Sequence, residues 1–351
     1  MNQILKGKKY SVAVVATMSS GKSTFLNAML GARILPAKQE ACTAKVYSIE
    51  DDDNAESFQA RCVKNGMPGP WEPASSDCLK AFNESDADEI EIIGNIKQIR
   101  NTRTGHAILL YDTPGPNNSL NHTHASITEN IIRNSQFCAL VYVRNAQQLG
   151  TDDEFKLLAF IREEIEKSSS SSDVLFILNK IDEFRSADGD SIRDSLTKCK
   201  KGLRDAIGFP RIIILPVSSK LALLIRLMLG SLEEINKNEI PEEFRRKNRN
   251  LTKYFQSGLS EEDQDELLYL LKTTLRNKRK YAGALQFSPQ VKHIFLRLKR
   301  RLSTKRNYAE KVFVSNRLFD MSDIRLALLL SGIPVVERYL ENKLRKAAKK
   351  Q

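Results

Sequence analysis

Residues 16–23 (ATMSSGKS) have the residue types and spacing of a phosphate-binding loop. They fit the pattern G-x-x-x-x-G-K-[ST] except that Ala16 replaces the first glycine, a change that costs little where φ is negative. Gly21 lets backbone N–H groups approach phosphate oxygens, Lys22 supplies a cation for the β- and γ-phosphates, and the Ser23 hydroxyl is a suitable Mg²⁺ ligand. The predicted phosphate contacts are Met18, Ser19, Ser20, Gly21, Lys22, Ser23 and Thr24.

A second motif, DTPG (residues 112–115), ends the apolar stretch HAILLY. The carboxylate of Asp112 could hold Mg²⁺ through a water molecule, and the Gly115 N–H could bond the γ-phosphate. Loss of that phosphate would then release the following loop. The alternative is an ordinary Pro-Gly turn after a strand.

A third motif, NKID (residues 179–182), follows the apolar run VLFIL and predicts the base. The Asp182 carboxylate would accept hydrogen bonds from guanine N1 and N2, which adenine cannot donate. Asn179 would contact the base edge and support the loop, while the Lys180 stem covers the purine plane. After the next strand, the backbone N–H groups of Ser218, Ser219 and Lys220 would reach guanine O6.

The predicted nucleotide site also needs a loop residue that contacts the metal and the attacking water. Thr43, in the loop LPAKQEACT (residues 35–43), is the candidate, and Ser23, Thr43 and Asp112 would form the Mg²⁺ site. Together with Lys22 they are the predicted catalytic residues. An ordinary loop threonine is the alternative for Thr43.

These motifs follow predicted strands and are separated by predicted helices, which indicates an α/β fold: a P-loop GTPase with a mixed, mostly parallel sheet flanked by helices. Residues 90–100 and 106–112 look like paired strands around a turn, and residues 51–89 read as an irregular insertion. After Ser218 no further strand is evident, so the C-terminal region is predicted to be α-helical. The predicted strands beside these motifs lie at 10–15, 137–143, 174–178 and 211–217.

The motif sequences GKSTFLNAMLG, LLYDTPGPNN, FILNKID and ILPVSSK together resemble the GTPase domain of the bacterial dynamin superfamily. The resemblance covers residues 8–220 well, and residues 331–346 loosely resemble the helix that closes such domains. It implies hydrolysis of GTP with Mg²⁺ and nucleotide-dependent homodimerisation, often at membranes. Residues 221–330 would be an insertion or helical subdomain, and residues 331–351 a closing helix with a basic tail.

Two departures limit this resemblance. Eukaryotic members have Gln and Ser where this chain has Met18 and Ser19, and a methionine cannot orient water by hydrogen bonding. Larger members also have a long stalk and a lipid-contacting tip, for which this chain has little room. The alternatives are therefore a nucleotide-gated binding module with negligible turnover, and an RNA- or ribosome-associated GTPase.

The net charge of +12 favours anionic partners, and residues 272–306 contain twelve Lys or Arg and no Asp or Glu. Within them, residues 291–302 predict a basic amphipathic helix, with an apolar stripe formed by Val291, Ile294, Phe295, Leu298 and Leu302. The stripe could pack on the GTPase domain, enter an anionic membrane surface, or accompany contacts with an acidic protein or nucleic acid. Five cysteines without CxxC spacing, and no signal peptide, suggest a cytoplasmic protein, with peripheral membrane association as an option.

Overall fold

The computed structural model describes residues 9–17, 19–36, 45–96, 99, 107–113, 137–146, 152–167, 174–184, 191–205, 207–209, 211–234, 242, 246, 253–304, 310–315 and 317–349. The strands are β1 (Tyr10–Ala16), β2 (Val46–Asp51), β3 (Gln59–Lys64), β4 (Met67–Pro68), β5 (Glu72–Pro73), β6 (Glu89–Gly94), β7 (Ile108–Asp112), β8 (Phe137–Asn145), β9 (Val174–Asn179), β10 (Ile213–Pro216), β11 (Glu233–Glu234), β12 (Lys253–Gln256), β13 (Glu310–Val314) and β14 (Arg317–Asp320). The helices are α1 (Lys22–Leu30), α2 (Ser76–Glu84), α3 (Asp152–Lys167), α4 (Ile192–Asp205), α5 (Ser219–Gly230), α6 (Glu261–Arg276), α7 (Lys278–Ala284), α8 (Pro289–Thr304), α9 (Met321–Leu330) and α10 (Ile333–Lys349), with a short 3₁₀ helix at Ile181–Glu183.

Ten of these strands form one sheet in the order β10-β9-β8-β1-β7-β2-β6-β3-β4, with β5 also paired to β3. The strands from β10 to β7 are parallel, and β2 is antiparallel to β7. The central strands are buried over nearly their whole length, as expected for a parallel sheet covered on both faces. The predicted mixed, mostly parallel sheet with flanking helices is confirmed.

The two strands predicted as a pair at 90–100 and 106–112 are not neighbours. Both β6 and β7 exist, but β2 lies between them, parallel to β6 and antiparallel to β7. Alternate residues of β2, Tyr47 and Ile49, are fully buried, which fits its position between β6 and β7. The closeness of β6 and β7 in sequence therefore led to the wrong pairing partner for both strands.

Residues 51–89 are not irregular, which corrects that prediction. They contain β3, β4, β5 and α2, and the sheet extends through β3 beyond β6. Asn65 and Gly66 join β3 to β4 with φ values of 51° and 74°. An Asn-Gly pair is the residue combination that a tight hairpin requires, and it is the sequence signal for this hairpin.

The expectation of no strand after Ser218 is also wrong, although most of that region is helical. Four short strands form a second sheet in the order β11-β12-β13-β14. Val312, Val314 and Phe319 of this sheet pack with α5, α6 and α9 in a second hydrophobic core. Strands of two to five residues with charged neighbours do not produce a recognisable alternation, because only a few side chains face the core.

Helix α8 shows how the basic segment packs. Val291, Ile294 and Phe295 are buried in the main core, with Leu298 and Leu302 partly buried against it. The predicted packing of this stripe against the part of the chain that carries the nucleotide-binding motifs is thus confirmed, and insertion of Val291, Ile294 and Phe295 into a lipid surface is wrong. The exposed cations of this helix are Lys292, Arg297, Lys299, Arg300 and Arg301.

No helix in the described part of the chain is both long and apolar enough to cross a bilayer. Helix α10 packs against α1, β8, α8 and α9, at the position where the sequence suggested a closing helix. Among the described residues, the turn before it, Ser331–Gly332, lies directly on the end of β10. The Ser218 N–H donates to the Ser331 carbonyl at 2.9 Å, and a Cβ on Gly332 would lie 2.3 Å from the Pro216 carbonyl oxygen.

Candidate nucleotide-binding site

The phosphate-binding loop runs from the end of β1 to the first turn of α1. Ala16 is the last residue of β1, an extended segment in which φ is negative, so its methyl group is tolerated there. Ser19 and Gly21 have positive φ values of 58° and 83°. A Cβ on Gly21 would lie 2.5 Å from Nδ2 of Asn179, so glycine is required both by backbone conformation and by this close approach.

Lys22 and Asp112 form a buried ion pair at the centre of the site. Strands β1 and β7 are adjacent and place Asp112 beside Val14, just before the loop. The side chains of Lys22 and Asp112 are only 11% and 2% exposed. Burial raises the pKa of Asp112, and the positive charge of Lys22 opposes that rise. Lys22 is therefore held by the protein and is not free in solvent.

Thr113, the residue after Asp112, ties the two strands together at this edge of the sheet. It is buried, and its hydroxyl donates to the Val14 carbonyl at 3.1 Å. Ser23 and Thr24 lie in the first turn of α1 and are partly exposed. Ser23 and Asp112 thus both lie near the loop that joins β1 to α1, and hard oxygen donors of this kind suit Mg²⁺.

Asn179, at the end of β9, joins the phosphate-binding loop to the SSK segment. Its Nδ2 donates to the Ser20 carbonyl at 2.9 Å, and its Oδ1 accepts from the Ser219 hydroxyl at 2.7 Å and from the Ser219 N–H at 3.2 Å. All three residues are buried. The structure therefore brings the first, third and fourth predicted motifs together through one amide side chain.

Asp182 lies in the 3₁₀ helix that follows β9. Its Oδ1 is buried and accepts no hydrogen bond from any residue that the structure describes. Burial raises the pKa of Asp182, while a hydrogen bond from Ser218 lowers it. A buried acceptor of this kind fits a ligand with N–H donors, because an unmatched polar atom is costly in a dry site.

Lys180 and the SSK segment lie on the two turns that follow β9 and β10. Lys180 has a left-handed φ of 64°, and its Nζ lies 3.5 Å from Oε1 of Glu183. Ser218 caps α5 by accepting from the Leu221 N–H at 3.4 Å. The Lys220 side chain points to Glu266 of α6, with 2.8 Å between Nζ and Oε2.

Some predicted residues lie outside the described part of the chain. These are Met18, Thr43 and Gly115. Their proposed contacts with phosphate and Mg²⁺ remain predictions.

Two residues that the sequence analysis overlooked also shape this site. The buried side chain of Asn27 accepts from the Ile34 and Leu35 N–H groups at 3.0 and 2.8 Å, and so directs the chain as it leaves α1. A polar residue on the apolar face of α1 was the available signal. Tyr281 of α7 is buried, and its pKa is raised to about 12 by burial and by the nearby Asp182 charge. No sequence signal connects Tyr281 to the site.

Residues 12–181 match the sequence profile of the dynamin family. No curated protein sequence shows significant similarity to the chain. Two solved structures of an oligomerised bacterial dynamin pair, described in connection with long-range sensing and tethering of membranes, are 16% and 17% identical to it. They cover 86% of this chain and 48% and 55% of their own, with TM-scores of 0.49 and 0.48. The chain therefore spans about half the length of these dynamin structures.

Toc33 from Arabidopsis thaliana is also similar, at 14% identity over 60% of this chain and 71% of that protein, with a TM-score of 0.39. Its complex with Mg²⁺ and GMPPNP is 12% identical, over 61% and 72% of the two chains, with a TM-score of 0.36.

Proposed function

We propose that residues 12–181, which match the dynamin-family profile, form a GTPase domain. The chain would bind guanine nucleotides at the site around Asn179 and hydrolyse GTP with Mg²⁺. The carrying observation is the Asp182 carboxylate, whose buried Oδ1 accepts no hydrogen bond from the described residues. Guanine offers two N–H donors on one edge, whereas adenine has none in that arrangement. The Asn179 hydrogen bonds hold this turn against the phosphate loop.

The chemistry follows from positioning and charge. Lys22 and the backbone N–H groups of the loop would bind the phosphate oxygens, and catalysis would stabilise charge that develops on the γ-phosphate. Ser23, Asp112 and Thr43 would hold Mg²⁺, which supplies further charge neutralisation when bound. Asp112 would act through a water molecule, and Lys22 must exchange part of its contact with Asp112 for phosphate.

Self-association and membrane contact extend this proposal. Met18 offers no hydrogen bond to an attacking water, so a second copy of the chain would complete the site in a nucleotide-dependent homodimer. The apolar stripe of α8 is already buried and cannot enter a membrane. Contact with an anionic membrane would therefore be made by the exposed cations of α7 and α8. Support for these two parts comes from the family match and from the charge distribution.

The test is competition for a fluorescent GDP analogue. Unlabelled GDP and GTP should displace it, and ATP should not at a hundredfold higher concentration. GTP should also be hydrolysed with a requirement for Mg²⁺. Displacement by ATP as effective as that by GDP would contradict the base assignment, and stoichiometric GTP binding without turnover would favour the nucleotide-gated binding module.

A second candidate, an RNA-associated GTPase, is favoured by the same cations. Parallel sedimentation with anionic liposomes and with RNA across a salt series separates the two. Binding to RNA but not to liposomes would replace the membrane proposal.

A further inference from the structure

Helix α6 of the C-terminal region packs directly on the guanine-recognition turn. It contacts the 3₁₀ helix that contains Asp182, and it also packs against α5, which begins with the SSK segment. Two ion pairs join α6 to the GTPase domain. Oδ1 of Asp263 lies 2.5 Å from Nη2 of Arg33, and Oε2 of Glu266 lies 2.8 Å from Nζ of Lys220.

The Lys220–Glu266 pair holds the segment that would face the base. Lys220 is in the first turn of α5, two residues after Ser218. Ser218 in turn makes a hydrogen bond to Asp182 and another to the Ser331 carbonyl. Tyr281, whose hydroxyl makes a hydrogen bond to Thr274 of α6, lies close enough to feel the Asp182 charge. Residues of the C-terminal region thus pack against the turn that contains Asp182 and against the start of α5.

We propose that Glu266 is a positioning residue for guanine binding, which acts by holding Lys220 and hence the backbone of residues 218–220 in place beside Asp182. This inference rests on the proposed guanine-binding function. It also gives residues 261–281 a role in nucleotide binding, outside the segment that matches the dynamin profile.

The Lys220–Glu266 pair should affect nucleotide affinity more than the stability of the fold. The two side chains are 38% and 40% exposed, and ion pairs this exposed contribute little to stability. Reversing the charge of either Lys220 or Glu266 replaces their attraction with repulsion at the first turn of α5. We therefore expect the effect to appear in nucleotide affinity while the melting temperature stays close to that of the unmodified protein.

The experiment compares four variants of the full chain: Glu266→Lys, Lys220→Glu, the double variant with both changes, and the control Glu262→Lys. Glu262 is exposed on the first turn of the same helix, so its replacement makes the same change of net charge. The affinity for a fluorescent GDP analogue and the melting temperature are measured for each.

We expect each single reversal at 220 or 266 to weaken GDP binding by about 3- to 10-fold, which is the scale of a lost or repelled surface pair. The double variant should recover most of that loss, and Glu262→Lys should bind as the unmodified chain does. Equal affinities for Glu266→Lys and Glu262→Lys, or a double variant no better than its parents, would overturn the inference while leaving guanine binding intact. If the unmodified chain does not bind GDP, the proposed function fails and this inference fails with it.

Discussion

The two buried carboxylates of the site are held in opposite ways. Asp112 is paired with Lys22, whereas Oδ1 of Asp182 has no donor among the described residues. Burial raises the pKa of both groups. The charge of Lys22 opposes this rise at Asp112, whereas hydrogen bonds from Ser218 and the backbone oppose it at Asp182. The first carboxylate is therefore stabilised by the protein itself, and the second is suited to a ligand that brings its own donors.

Replacement of Asp182 by Asn should move base preference from guanine towards xanthine. The amide keeps the shape of the carboxylate but donates where the carboxylate accepted, and xanthine offers a carbonyl at that position. We expect GDP affinity to fall by about 100-fold, since the loss of a hydrogen bond to a charged group costs about 1.5–3 kcal/mol. Competition with GDP and XDP measures this. Unchanged selectivity would remove Asp182 from the base site.

Replacement of Lys22 by Ala should impair both phosphate binding and stability. The change leaves the Asp112 carboxylate buried without its cation, and breaking a buried pair costs about 3 kcal/mol. Adding Asp112→Asn should recover most of the stability but not the nucleotide affinity. Ser23→Ala is the control, because it alters the phosphate loop without changing charge. A Lys22→Ala variant that melts as the unmodified chain does would contradict the observed pairing.

Helix α5 connects the main hydrophobic core to the second core. Its apolar sequence LALLIRLMLG is buried on two sides: Ala222 and Leu223 belong to the main core, and Leu221, Leu224, Ile225 and Met228 to the second. Arg226 interrupts this sequence and is itself buried. It pairs with Glu337 of α10 at 2.6 Å and donates to the Met29 carbonyl at 3.3 Å. One arginine thus joins α1, α5 and α10.

Replacement of Glu337 by Ala should destabilise the chain by about 3 kcal/mol, because Arg226 would remain buried without a counter-charge. Denaturant unfolding measures the loss. The matched control is Glu166→Ala, which breaks the exposed pair with Arg162 on α3 and should leave the unfolding midpoint nearly unchanged. Equal effects of the two substitutions would mean that the Arg226–Glu337 pair does not hold these helices together.

The exposed face of α8 should bind anionic membranes through charge alone. We expect loss of co-sedimentation with anionic liposomes after reversal of Arg297, Lys299, Arg300 and Arg301 to Glu, and a steep decrease with salt for the unmodified chain. The control reverses the same number of exposed cations on α4, which are Arg193, Lys198, Lys201 and Arg204. Binding that survives salt, or that falls equally in both variants, would argue against α8 as the contact.

The rate of GTP hydrolysis per molecule should depend on protein concentration. Completion of a GTPase site by a group from a second molecule can be worth ~10³–10⁵ in rate. Specific activity should therefore rise from nanomolar to micromolar protein, and size-exclusion chromatography should show a dimer with a non-hydrolysable GTP analogue but not with GDP. Constant specific activity across this range would speak against pairing.

The sequence alone was enough to predict most residues of the candidate site. The loop before Lys22, the carboxylate at the end of β7 and the NKID turn could be predicted because each depends on local features: residue type, short spacing and a preceding apolar strand. Asn179 was expected to support its loop, and the structure shows how, through Ser20 and Ser219. The fold class followed from the same apolar runs.

The elements that lie beside that site could be identified only from the folded chain. Four features depend on residues far apart in the chain. They are the place of β2 between β6 and β7, the second small sheet, the pairing of Lys22 with Asp112, and the contact of α6 with the turn that contains Asp182. Their partners are selected by packing and by the burial of charge, which are properties of the assembled molecule. A glutamate at position 266 looks like any exposed helical residue until folding places it 2.8 Å from Lys220.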